Sequence, residues 1–168
     1  VLGINPGASY GDSKRWYPDE FAKVAIELSS SYEIIIFGGP NEKDIALDIE
    51  KILIKKGVVN YQNLAGNTTV TELMEHIAKL DLFVTGDSGP MHVAAGLQVP
   101  TVSIFGPTND DETSQWGNDK SIILKKNLEC QPCMKRSCPL VHHDCMKMIK
   151  SDDVLEAVNT LNINISNY

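Results

Sequence analysis

The fold is decided by the stretch Leu82-Phe-Val-Thr-Gly-Asp-Ser-Gly-Pro-Met-His-Val-Ala-Ala-Gly96. An apolar run there passes through a glycine- and hydroxyl-rich turn into a helix that starts at Pro90, which suits a first helical position because its missing N–H costs nothing. The amides of Met91 and His92 would then lack intrahelical partners, and with the helix dipole they favour a phosphate or diphosphate. The stretch predicts an anion-binding turn, although an ordinary capped turn with Asp87 and His92 bonded locally also fits it.

Apolar runs alternate with amphipathic segments along the whole chain. Such alternation predicts an α/β fold with a parallel sheet covered by helices on both faces. The predicted strands are Val1–Asn5, Glu33–Phe37, Leu80–Thr85, Thr101–Phe105 and Ser121–Leu124, with a weaker one at Val58–Tyr61. The predicted helices are Asp19–Ser29, one marked by Ile45, Ile49 and Ile52, one marked by Leu73, Ile77 and Leu80 behind a capping box Thr69-x-x-Glu72, Pro90–Gly96, and Asp152–Leu161 with Ser151 as its cap.

Length and composition are those of one well-packed domain, with 168 residues of which 42% are hydrophobic. No apolar run approaches the ~20 residues of a membrane span, and the first residues do not form a signal peptide. The chain begins without Met and directly in a predicted strand, so we expect a domain of a longer protein, or one whose start is missing. The net charge of −7 opposes broad nucleic-acid binding. An anionic ligand would therefore have to be held by local groups.

Four cysteines lie close together in the sequence as C-x2-C-x4-C-x6-C, at Cys130, Cys133, Cys138 and Cys145. The first pair has the spacing of a zinc knuckle, and His142 or His143 could add a ligand. The second half departs from paired spacing, so reduced packing cysteines are the main alternative. A disulfide framework is disfavoured because the rest of the composition is that of an ordinary cytosolic α/β protein.

Four polar turns follow predicted strands, at the edge of a parallel sheet where ligands bind. They are Pro6–Tyr17, Gly38–Asp44, Asp87–His92 and Gly106–Thr113. Neither G-x-G-x-x-G nor G-x-x-x-x-G-K-[ST] occurs in the first turn, which disfavours a simple dehydrogenase or P-loop protein.

Candidate ligand-binding side chains lie in the first two of these turns. Ser9 and Tyr10 offer hydroxyls, and Lys14 offers a cation of the kind that meets a phosphate as a point charge. The alternative is a solvated loop with Lys14 and Arg15 in water. Glu42 could accept hydrogen bonds from a ribose, or it could simply be an acidic residue in a first helical turn.

Several motifs in register resemble glycosyltransferase family 9, the bacterial ADP-heptose:lipopolysaccharide heptosyltransferases. The likeness runs from Val1 to about Cys145, and the cysteine cluster and tryptophan turn most resemble the heptosyltransferase II branch. The motifs are Asn5-Pro-Gly-Ala with Lys14-Arg15-Trp16, Gly38-Gly39, Leu64-Ala65-Gly66 with Thr68-Thr69, Asp87-Ser-Gly-Pro-Met-His92, Phe105-Gly-Pro-Thr108 and the cysteines.

The resemblance implies a GT-B enzyme of two Rossmann-like domains, of which residues 1–168 would be the C-terminal, donor-binding one. It implies ADP-heptose as donor, lipopolysaccharide core as acceptor, metal-independent transfer, and action in the cytoplasm at the inner face of the membrane. The acceptor's base would be an aspartate of the N-terminal domain, so this chain alone should transfer no sugar.

Site roles follow from the same resemblance. Ser9, Tyr10 and Lys14 would contact the diphosphate or sugar, with Lys14 stabilising the leaving group. The remaining donor-binding residues would be Glu42 at the ribose, Thr68 and Thr69 at the adenine, and Asp87, Ser88, Gly89 and His92 around the sugar and diphosphate. Two alternatives stay open: a different nucleotide sugar, or a non-catalytic module that binds nucleotide or is stabilised by zinc.

Overall fold

Six short strands form one parallel sheet in the order β3-β2-β1-β4-β5-β6, in a computed structural model that describes Val1–Leu161. Strand β1 pairs with β2 on one side and with β4 on the other. Strand β3 therefore extends the sheet beyond β2, whereas β5 and β6 extend it beyond β4. This is the strand order of a Rossmann-like fold, with its topological switch between β1 and β4. The strands are β1 Leu2–Asn5, β2 Ile34–Ile36, β3 Tyr61–Asn63, β4 Leu82–Gly86, β5 Thr101–Ile104 and β6 Ser121–Leu124.

Helices connect the strands and cover both faces of the sheet. Short 3-10 turns at Asp12–Lys14 and Pro40–Glu42 follow β1 and β2. The α-helices are α1 Pro18–Leu28, α2 Lys43–Lys55, α3 Val70–Ile77, α4 Gly89–Gly96, α5 Asp110–Thr113, α6 Asp144–Lys147 and α7 Ser151–Thr160.

The core lies in two layers because consecutive strand side chains point to opposite faces. In β2, Ile34 and Ile36 belong to one apolar cluster while Ile35 belongs to the other. Helices α1, α2 and α7 cover the first face, and α3 and α4 cover the second. Both faces are buried, which confirms the predicted doubly wound parallel sheet.

Several predicted boundaries were wrong. Val58 is buried, but it belongs to the turn that ends α2, where its amide donates to Leu53 O, and the strand begins only at Tyr61. Helix α3 ends at Ile77, so Leu80 lies in the following turn. Ser151 is not the cap of α7 but its first residue.

Helix α4 also begins one residue earlier than predicted. Its first residue is Gly89, and Pro90 is the second. The amide of Met91 donates to Ser88 O at 3.1 Å, so the prediction that this amide is free was wrong. The helix end for which anion binding is predicted is therefore shifted toward Ser88 and Gly89.

Candidate functional site

A cavity of about 480 Å³ opens at the carboxyl edge of the sheet, beside the switch between β1 and β4. Four chain segments line it, and each follows one of the strands β1, β2, β3 and β4. We call it the switch-point cleft. Its lining residues are Asn5, Gly7–Ser9 and Arg15; Gly38–Glu42; Thr68–Val70 and Leu73; and Ser88–Pro90.

Asn5 ties the end of β1 to the start of α4. Its side-chain amide donates to Thr85 Oγ1 and to Ser88 Oγ, both at 3.1 Å, and those two hydroxyls lie 3.2 Å apart. Both Asn5 and Thr85 are buried. The network fixes Ser88 at the N-terminal end of α4, where the helix dipole favours negative charge.

A buried ion pair lies beneath the turn that follows β4. Lys14 Nζ is 2.6 Å from Asp87 Oδ2, and the two side chains are only 10% and 5% exposed. The same oxygen accepts hydrogen bonds from the hydroxyls of Thr108 at 2.7 Å and Thr113 at 3.2 Å. The pair thus joins the first and fourth predicted turns through Asp87, but neither Lys14 nor Asp87 lines the switch-point cleft.

Tyr10 covers this ion pair from the side of the segment that carries the four cysteines (residues 130–145), which we call the cysteine segment. Lys14 Nζ lies 4.5 Å and Arg136 Cζ 5.2 Å from the centre of the Tyr10 ring, which are cation–π distances. The Tyr10 hydroxyl donates to Met134 O at 2.8 Å. Tyr10 is not among the residues that line the cleft, and His92, exposed on α4, is also absent from that lining.

Glu42 is the acidic side chain that lines the cleft. Its Oε2 accepts the backbone amide of Gly39 at 2.7 Å, and its carboxyl group lies where a Cβ on Gly7 would be. A side chain at position 7 would therefore displace Glu42. The two glycine turns hold this carboxylate in place.

Thr68 and Thr69 form the far wall, and the predicted capping box is confirmed. Thr69 Oγ1 accepts the amide of Glu72 at 3.2 Å, while the Thr69 amide donates to Glu72 Oε2 at 2.7 Å. The hydrogen bonds that the Thr69 amide and hydroxyl donate to the Glu72 carboxylate lower the pKa of Glu72. The cap places the start of α3 against the cleft.

The structure brings together most of the predicted donor-binding residues but not all of them. Those that line the cleft are Ser9, Glu42, Thr68, Thr69, Ser88 and Gly89; those that do not are Tyr10, Lys14, Asp87 and His92. Sequence reasoning missed Asn5 as a positioning residue and Arg15 as the cation of the cleft. The signal for Arg15 was its place next to Lys14 in a turn that already offered phosphate-binding groups.

The cysteine segment packs on the first turn. Ser13 donates its hydroxyl to Lys135 O at 2.6 Å and its amide to Arg136 O at 3.2 Å. His143 joins the same turn, with Nε2 2.8 Å from Ser13 O and Nδ1 3.1 Å from the Tyr17 hydroxyl. The segment therefore supports the loop that carries Lys14 and Arg15.

The four cysteines form no disulfides. Together with His142 and His143 they line one small cavity of about 20 Å³. Burial, with the nearby Cys138, Cys133 and Cys130, raises the pKa of Cys145 to about 11. In Val1–Leu161, no three His, Cys, Asp or Glu side chains are grouped as a preformed metal site. Zinc binding by these cysteines stays a prediction, which a metal analysis of the purified protein would check.

None of the helices in the described part of the chain is long and apolar enough to cross a membrane.

Comparisons with known proteins agree on one family. Residues 1–143 match the family model of glycosyltransferase family 9 (heptosyltransferase). The chain is 46% identical over 162 residues to lipooligosaccharide heptosyltransferase 2 of Campylobacter jejuni subsp. jejuni serotype O:6, covering 96% of this chain and 51% of that protein. It is 30% identical over 162 residues to lipopolysaccharide heptosyltransferase 2 of Escherichia coli K12, covering 96% and 46%.

A solved structure supports the same grouping. The E. coli ADP-heptose lps heptosyltransferase II matches with a TM-score of 0.80 and 29% identity, over 95% of this chain and 45% of that one. The chain spans about half the length of the curated relatives it matches. Fold, sequence identity and family model together show that the chain belongs to glycosyltransferase family 9.

Proposed function

We propose that this chain is the donor-binding domain of an inverting heptosyltransferase, which transfers L-glycero-D-manno-heptose from ADP-heptose to the inner core of lipopolysaccharide. The observation that carries the proposal is the switch-point cleft in a chain of glycosyltransferase family 9. Its volume of about 480 Å³ is in the range of small-molecule sites. The name of the similar E. coli structure, an ADP-heptose lps heptosyltransferase, supports this donor and acceptor.

The cleft offers a different group to each part of such a donor. The Glu42 carboxylate can accept hydrogen bonds from ribose hydroxyls, and Thr68 with Thr69 borders the space for the adenine. Ser88 and Gly89 lie at the N-terminal end of α4, where the helix dipole favours a diphosphate. Ser9 adds an exposed hydroxyl on the opposite wall.

The buried ion pair of Lys14 and Asp87, which does not line the cleft, is proposed to contact the reacting end of the donor. For Lys14 to stabilise the departing diphosphate, its ammonium must share or leave Asp87 Oδ2, now 2.6 Å away. Resemblance to the family would also place Tyr10 and His92 at the sugar or diphosphate, although neither residue lines the cleft. A Lys14→Ala variant should weaken ADP binding; unchanged affinity would remove Lys14 from the phosphate site.

The proposed reaction needs both a leaving-group cation and a base. The bond from the anomeric carbon to the diphosphate oxygen breaks, the acceptor oxygen attacks the opposite face, and its proton passes to a base. Fixed positive groups aimed at the developing diphosphate charge lower the barrier without a metal ion. Asp87 is poorly placed as the base because its Oδ2 already accepts three donors.

By resemblance to the family, the base and the acceptor surface would belong to the rest of the protein, in a two-domain GT-B enzyme. We propose that this enzyme acts in the cytoplasm at the inner membrane face, where a lipid-borne acceptor is available. The chain by itself should then bind donor but transfer no sugar.

Calorimetric titration of the chain with ADP-heptose, ADP and UDP tests the proposal. ADP-heptose and ADP should bind at one site and UDP more weakly. A preference for UDP would point to another nucleotide sugar, and no binding of any nucleotide would contradict a donor domain. Sugar transfer by the chain alone would show that the base lies within it.

A further inference from the structure

Arg15 and Lys14 are neighbours in sequence but point to different places. Lys14 ends the 3-10 turn Asp12–Lys14, and Arg15 follows with extended backbone, at φ −84° and ψ 121°. The Lys14 side chain runs to Asp87 in the interior, whereas Arg15 lines the switch-point cleft. The adjacent Trp16 fixes this arrangement, because its buried indole donates to Ile149 O at 2.9 Å.

The Arg15 guanidinium lacks the partners that such a group normally has. In the part of the chain that the structure describes, its Nε is fully buried and has no hydrogen-bond partner. Within Val1–Leu161 no carboxylate forms a salt bridge with it, although buried donors in native proteins are nearly always paired. A planar fork of N–H donors at the wall of a cleft is suited to a phosphate, which it can bind through two parallel hydrogen bonds.

Charge in the cleft favours the same interpretation. Arg15 is the cationic residue among those that line it, and Glu42 is the acidic one. The chain carries a net charge of −7, so a diphosphate needs a local cation to enter. Lys14 is already neutralised by Asp87 at 2.6 Å, whereas the start of α4 supplies only a partial charge.

We propose that Arg15 binds the diphosphate of the donor in the switch-point cleft, together with Ser88 and Gly89 at the start of α4. This inference rests on the proposed function, since it assigns a residue to the diphosphate of that donor. It divides the work between the two neighbours: Arg15 binds the diphosphate from the cleft, and Lys14, shared with Asp87, binds it at the reacting end, so that both contribute to the affinity for ADP.

The test is the affinity of the chain for ADP and for adenosine, measured by calorimetry or by competition. Arg15→Ala should weaken ADP binding ~10- to 100-fold, which is the effect of losing hydrogen bonds to a charged group. The same variant should bind adenosine with unchanged affinity. Arg15→Lys keeps the charge without the fork and should show an intermediate loss. Lys79→Ala is the matched control, since it removes one positive charge from an exposed residue that precedes β4, at the opposite edge of the sheet. Thermal unfolding of each variant checks that it is folded.

Each outcome supports or contradicts the assignment of Arg15 to the diphosphate. If the unaltered chain binds ADP and Arg15→Ala binds it within twofold as well, the inference fails while the proposed function stands. If the unaltered chain binds no ADP, the proposed function fails and the inference fails with it. An equal loss for ADP and adenosine would place Arg15 at the nucleoside and overturn its assignment to the diphosphate.

Discussion

Replacing Asp87 by Asn should destabilise the fold, because it leaves the Lys14 ammonium buried without a counter-charge. The substitution keeps the shape of the side chain and an oxygen that can accept the Thr108 hydroxyl. What it removes is the charge 2.6 Å from Lys14 Nζ, in a pair whose side chains are 10% and 5% exposed.

The expected magnitude follows from that burial. Breaking a buried pair by removing one partner costs about 3–5 kcal/mol. Because Asn retains some of the hydrogen bonds, we expect the lower end of this range, about 3 kcal/mol, and in a chain of this size a fall in Tm of about 6–12 °C. The matched control is Asp48→Asn, which breaks a Lys51–Asp48 pair of 3.0 Å with side chains 63% and 57% exposed. Exposed pairs contribute only about 0–1 kcal/mol.

Urea unfolding followed by circular dichroism measures both variants, with a lower midpoint and an unchanged m-value as the expected result for Asp87→Asn. Adding Lys14→Met to that variant should restore part of the stability, because the unpaired ammonium is then gone. If Asp87→Asn cost no more than Asp48→Asn, the ion pair would not be the buried, fold-supporting contact described above.

Two further predictions concern other parts of the chain. Burial raises the pKa of the Glu20 carboxyl, but hydrogen bonds from Lys23 and the Ser151 amide outweigh it, so the pKa lies below its usual value. A lowered carboxyl pKa stabilises the fold above the unfolded pKa and stops doing so as pH falls. The stability difference between wild type and Glu20→Gln should therefore shrink on acidification, and a difference independent of pH would contradict this. Cys145, with a pKa raised to about 11, should be the slowest of the four cysteines to react with iodoacetamide at pH 8, as peptide mass spectrometry would show. Its modification before Cys130 would contradict the burial described here.

The strands at the centre of the sheet could be predicted from the sequence. Both faces of the sheet are buried there, so each of these strands is a continuous apolar run. Strand β3 was misplaced because Tyr61-Gln-Asn63 is a polar edge strand that, among the described strands, pairs only with β2. Its assignment depends on that pairing and not on local pattern.

The segments that build the cleft could also be predicted, since the topology brings turns after parallel strands to one edge. What the sequence does not determine is which neighbouring side chain faces the cleft. The directions of Lys14 and Arg15 depend on the 3-10 turn before them and on Asp87, 73 positions further along the chain. Likewise, the docking of the cysteine segment on Tyr10 and Ser13 depends on backbone carbonyls that no motif identifies.

Binding of an ADP-linked donor in the switch-point cleft is tested most directly by titrating the ¹⁵N-labelled chain with ADP and following its amide resonances. The shifted amides should belong to the residues that line the cleft, above all Ser9, Gly39, Ser88 and Gly89. Shifts confined to the polar cavity beside Lys125–Glu129, or no shifts at saturating ADP, would contradict the assignment of this cleft as the donor site.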